Sequence, residues 1–105
     1  TFACDDLAEG ELVKVSANGT VAACAAGDDF CGMVLSVGRG GDACAVALGG
    51  MVTAGYTVPA EGAAPALGWS GLSADGEGGV QADADGSTYL VVDVDTTAKT
   101  VTFVL

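Results

Sequence analysis

The sequence predicts an all-β protein, a small single-domain antiparallel barrel or sandwich of about seven to nine short strands with an extended N-terminal arm. Three observations carry that expectation. Short apolar runs rich in Val alternate with Gly- and Asp-containing turn signals at intervals of roughly 8–12 residues. No window of about 11 residues or more shows the i, i+3, i+4, i+7 apolar stripe of a helix free of glycine. The chain of 105 residues is half apolar, yet carries 17 Gly and only 2 Pro, 3 Phe, 2 Tyr and 1 Trp, so its core must be built from Ala, Val and Cys on closely packed strands.

The segments follow in order. Thr1–Gly10 is polar apart from Phe2, Ala3 and Leu7; it reads as an extended arm or a weak first strand, docked if at all by Phe2 and Leu7. Leu12–Leu48 is the organising stretch, and its rhythm is that of a β-meander. Glu11–Ala17 alternates Leu12, Lys14 and Ser16 against Val13 and Val15. Asn18-Gly19 is a strong hairpin signal and predicts a type I′ turn. Thr20–Ala26 returns and Gly27-Asp28-Asp29 turns again. Phe30–Val37 is the most apolar run, and Gly32 within it predicts a bulge or a close backbone approach. Gly38–Asp42 is a glycine-rich loop with the only arginine, Arg39, and Ala43–Leu48 is a fourth strand.

After Gly49-Gly50 the pattern resumes in Met51–Val58. Pro59–Pro65 is a loop, since proline is excluded from central strands. Ala66–Ala74 holds the only tryptophan, Trp69. Val80–Ala82 is a short strand between the turns Asp75–Gly79 and Asp83–Gly86. Ser87–Asp95, with Leu90, Val92 and Val94 on one face, and Thr100–Leu105, with Val101, Phe103 and Leu105 on one face, form a C-terminal hairpin that shares one core. There is neither an internal repeat nor an interdomain linker, so one domain is expected.

Fourteen acidic residues face Lys14, Arg39 and Lys99, a formal charge of −11. Such a surface repels phosphate backbones and anionic lipid, which argues against nucleic-acid and membrane partners and favours solubility or a basic partner. No run approaches the ~18 apolar residues of a membrane span. No basic start followed by an apolar run marks a secretory signal, although a mature secreted chain would look the same.

The candidate chemistry is sparse. Cys4, Cys24, Cys31 and Cys44 are separated by 19, 6 and 12 residues, which fails the paired spacing of zinc sites. Cys24 and Cys31 flank a turn and could pair across a hairpin; the favoured reading is that all four are small buried hydrophobes. Asp83-Ala84-Asp85-Gly86-Ser87 opens like a calcium loop, but position twelve from Asp83 is Val94 rather than a glutamate, so weak binding at a turn is the most it supports. The sequence has no histidine, the commonest general base and metal ligand. The acidic pairs Asp5/Asp6, Asp28/Asp29 and Asp93/Asp95 lie in turns or on solvent faces. Neither an enzyme nor a cofactor is expected.

One stretch carries a family likeness. Leu12-Val13-Lys14-Val15, Gly19-Thr20-Val21, Phe30-Cys31-Gly32-Met33-Val34 and Ala45-Val46-Ala47-Leu48-Gly49-Gly50-Met51-Val52, with the terminal Val101-Thr102-Phe103, form a glycine-valine layout that resembles the small all-β bacteriophage capsid decoration, or cement, proteins. Four cysteines and strong acidity depart from that pattern. The resemblance implies a non-enzymatic, head-stabilising protein, made in the bacterial cytoplasm and held on the outer surface of the virion. Its partner would be the major capsid protein of the same phage, and it would bind as a symmetric homo-oligomer, a trimer being favoured. Candidate contact residues are Thr1, Phe2 and Leu7 of the arm, Arg39 in its loop, and Trp69. The competing expectation is a disulfide-stabilised extracellular β-sandwich adhesion module.

Overall fold

The computed structural model describes residues 1–60 and 62–105. Ten strands form: β1 (Phe2–Ala3), β2 (Leu12–Ala17), β3 (Thr20–Ala23), β4 (Gly32–Val37), β5 (Ala43–Ala47), β6 (Met51–Gly55), β7 (Gly68–Ala74), β8 (Val80–Ala82), β9 (Ser87–Asp95) and β10 (Thr100–Val104). The first five close into a barrel in the order β1-β3-β2-β4-β5, and the last five form a second sheet in the order β6-β10-β9-β7-β8. The molecule is elongated, 37 × 21 × 20 Å.

The tenth strand, one more than the upper expectation, is the arm. β1 is a stave of the barrel, parallel to β3 through Ala3 and Thr20 and antiparallel to β5 through Phe2 and Cys44. Phe2 and Leu7 pack against the barrel core, so this segment is docked rather than extended into solvent.

The meander holds only in part. β2 and β3 pair as a hairpin and β4 pairs with β5, but β4 lies beside β2 instead of β3. The chain between β3 and β4 crosses to the second sheet before returning. There the Gly27 amide donates to the Ala74 carbonyl, and the Ala74 amide donates to the Asp28 carbonyl. That excursion delivers Cys24 and Phe30 into the second core. The turn at Asn18-Gly19 also differs from expectation. Only Gly19 takes a left-handed conformation (φ +61°), and the register slips between Val15 and Ala17; the extra residue of a bulge takes up the twist that a type I′ turn would have supplied.

Because strand side chains alternate, β2 feeds two cores. Val13 points into the barrel with Val21, Val34, Cys4 and Cys44. Its neighbour Leu12 points the other way, into the larger cluster with Phe30, Met33, Tyr56, Leu72, Val80, Val91, Val101 and Phe103. At the centre of that cluster the Phe30 and Tyr89 rings stack at 4.9 Å, and Phe103 meets each of them at 5.7 and 5.5 Å. Gly32 answers to the close approach expected of it: a Cβ there would overlap the Ala47 carbonyl oxygen and stand 2.7 Å from Val46 Cγ1.

The C-terminal hairpin forms with Val101 and Phe103 fully buried, but β9 does not keep one apolar face. A bulge opposite Thr102 and Phe103 resets its phase. Tyr89, Val91 and Val94 pack inward, while Val92, placed inward by simple alternation, is exposed. The second sheet curls until its two edges meet at Tyr56 and Val80, where the Thr57 amide donates to the Val80 carbonyl.

Candidate interaction surface

Residues paired across neighbouring strands share a face. The register of the second sheet places Met51 opposite Val104, Val104 opposite Leu90, and Leu90 opposite Trp69. The adjacent row, Val52, Phe103, Val91 and Gly68, faces inward. The first row therefore crosses the outer face of four strands. Its ends are bare: Trp69 is 74% exposed and Met51 65%. Leu67, two residues before Trp69, and Val92, two beyond Leu90, are exposed as well. None of these six side chains is charged. Along the same face the row gives way to Thr53 and Thr102, whose hydroxyls share a 2.8 Å hydrogen bond, and to the exposed Asp93 opposite Thr102.

The acidic residues are used elsewhere. Several hold turns: Asp75 Oδ1 accepts from the Glu77 and Gly79 amides and its Oδ2 from Thr57, Asp83 accepts from the Asp85 amide, and Asp95 from Thr97 and Ala98. A cleft of about 370 Å³ between the barrel and the second sheet is lined by Glu9, Glu11, Asp75, Glu77, Tyr56 and Lys99. Lys99 Nζ stands 5.7 Å from the centre of the Tyr56 ring. The Tyr56 side chain is 6% exposed and its hydroxyl has no hydrogen-bond partner among the described residues. Among the described residues, no group of three or more carboxylate and thiol side chains is arranged to hold a metal ion.

Lys14 and Asp28 form a 2.6 Å ion pair beside the crossover. The hydrogen bond from Lys14, reinforced by the Ala25 amide, lowers the Asp28 carboxyl, and the same bond raises the Lys14 ammonium. All four cysteines are free thiols, three of them buried, so the Cys24–Cys31 pairing is not made. Burial pushes Cys24 up to about 11 and raises Cys4, whose thiol donates to the Gly41 carbonyl oxygen. Thiols held protonated at neutral pH make poor nucleophiles.

The contact residues chosen from sequence do not converge. Phe2 and Leu7 are half-buried against the barrel core, Thr1 is exposed beside a hollow along β5, Arg39 is exposed in the β4–β5 loop, and Trp69 stands on the second sheet. Met51, Leu90 and Val104, which make a row with Trp69, were not among them. Their pairing depends on strand order and on the β9 bulge, neither of which local spacing encodes. Comparison with protein-family models, characterised proteins and solved structures finds no match.

Proposed function

We propose that this chain is a non-enzymatic structural protein that binds the outer surface of a phage capsid as a symmetric oligomer and stabilises the head. The observation that carries the reading is the uncharged apolar row on the outer face of the second sheet, set in a chain of charge −11. An exposed apolar row of this kind, bordered by Asp93 on the same face, suits packing contacts rather than chemistry. The glycine-valine layout adds the family likeness. The non-enzymatic reading is supported by Cys4 and Cys24, whose thiols burial holds protonated, and by Asp75 and Asp83, whose carboxylates hold turns. The major capsid protein of the same phage is the proposed partner and the outer capsid surface the proposed location; many weak, repeated contacts on one shell sum through multivalency. The four free thiols give no support to a disulfide-stabilised surface module.

Co-sedimentation with expanded heads of the phage that carries the gene tests this. The protein is expected to pellet with heads at micromolar concentration and to raise the temperature at which they release DNA. Protein left wholly in the supernatant would overturn the reading.

A further inference from the structure

The geometry points to the Met51–Val104–Leu90–Trp69 row as the surface on which copies of this chain meet each other. The inference deepens the proposed symmetric assembly by naming its contact, and rests on that reading only for the expectation that the chain self-associates.

Charge selects the occupant. Two copies at −11 each repel wherever their acidic faces meet. A stable contact between them must therefore form where neither presents a carboxylate. The row and its neighbours Leu67 and Val92 carry no carboxylate themselves; Asp93, opposite Thr102, enters the same face in the next row and belongs to the rim. A basic partner would instead be drawn to carboxylates, such as those of the cleft holding Glu9, Glu11 and Glu77, and would gain nothing electrostatically from the row itself. Size agrees. Four strands set ~4.8 Å apart carry the row over some 15 Å, and its exposed side chains offer on the order of 500 Å² of apolar surface. With a polar rim, that approaches the ~800 Å² per partner of a standard interface. It also lies at the upper end of what a monomer leaves uncovered. Trp69, the largest and most exposed of the set, has the character of an anchor at one end of the row, and the hydrogen-bonded Thr53–Thr102 pair with Asp93 supplies rim.

An association of this kind has a distinctive salt dependence. Screening weakens the repulsion between acidic flanks while leaving the apolar contact intact, so the complex should tighten as salt rises. Docking of a basic partner would weaken.

The test is sedimentation equilibrium of the full chain across a range of concentration and between about 0.01 M and about 1 M salt. The wild-type protein is expected as a closed oligomer whose dissociation constant falls several-fold with salt. Trp69→Thr and Met51→Lys, on strands at opposite ends of the row, are each expected to sediment as single chains with unchanged far-UV circular dichroism. Leu35→Lys, exposed on the barrel, should leave the oligomer intact. A wild-type chain that stays monomeric throughout overturns the inference, and so does an oligomer that survives both substitutions. A monomer that pellets with phage heads and loses that binding on Trp69→Thr would also overturn it, by giving the row to the capsid, while leaving the proposed function standing. An oligomer that depends on the row but ignores heads would uphold the inference and defeat the function.

Discussion

The two halves of the molecule reach a closed core by different means. The side chains buried inside the β1–β5 barrel are small, Val13, Val21, Val34, Cys4 and Cys44, with Phe2 and Leu7 packed at their edge, and the barrel depends on hydrogen-bonded closure and on tight backbone approach at Gly32. The second sheet closes less completely but is filled by Phe30, Tyr89 and Phe103 around a shared aromatic centre. The lesson lies in how they are joined. Leu12, Met33, Cys24 and Phe30 come from the barrel half and are buried in the other half's core. A thin Ala/Val barrel gains its stability by lending one face to a larger neighbour, which is how a chain poor in big side chains satisfies a core of useful size.

Phe103→Ala tests the joint and should have the largest effect, a loss of about 3–5 kcal/mol, since the ring is fully buried and touches both other aromatics. Thermal unfolding should remain a single transition because the barrel strands share that core; two separated transitions by calorimetry would break the picture of one cooperative unit. Next in size is Gly32→Ala, aimed at the barrel alone. The added methyl collides with the backbone oxygen of Ala47, which cannot swing aside as a side-chain tip can. A loss of about 1–3 kcal/mol in urea unfolding is expected, and an unchanged midpoint would show that the barrel is looser than its register implies.

Smallest is Lys14→Met, which removes the half-exposed pair holding the crossover segment between the two halves. Exposed pairs contribute little, so the shift in melting temperature should sit near the resolution of the measurement. Its pH dependence is the sharper readout. The Asp28 carboxyl is lowered below 3.8 in the folded protein, so the pair stabilises above that value and is lost as pH falls through the lower folded one. The Lys14 ammonium is raised above 10.5, so its contribution is present below that value and is lost as pH climbs through the raised one. Wild type and variant should differ at neutral pH and converge at both extremes; a difference that persists at low pH would assign the effect to packing of the lysine stem.

Much of this was legible in local sequence. The all-β class, the C-terminal hairpin, the tight approach at Gly32 and the burial of Cys4, Cys24 and Cys44 all follow from spacing and residue size, which act within a few residues. Partnership did not. That β4 sits beside β2 follows from the crossover carrying Phe30 into the far core, a choice settled only when β9 and β10 are present. The β9 bulge parts Val92, which faces solvent, from Val94, which packs inward, although alternation sets both on one face, and alternation counted along one strand cannot see a slip relative to its neighbour. For the same reason rarity marks Trp69, whereas nothing local marks Met51 or Val104, and alternation puts Leu90 on the inner face rather than in the outer row. A cross-strand row is a property of register.

β1 has a further consequence, for solution behaviour during storage and expression. Only two residues long, it covers the free edges of both β3 and β5. The Ala3 amide donates to the Gly19 carbonyl, and that of Cys4, the residue after the strand, to the Asp42 carbonyl. A short stave fixed by so few bonds is the place where local opening costs least, and each opening uncovers two unpaired strand edges at once, the template on which chains aggregate edge to edge. The high negative charge then acts as a colloidal safeguard: it keeps molecules apart during the intervals when the barrel is ajar.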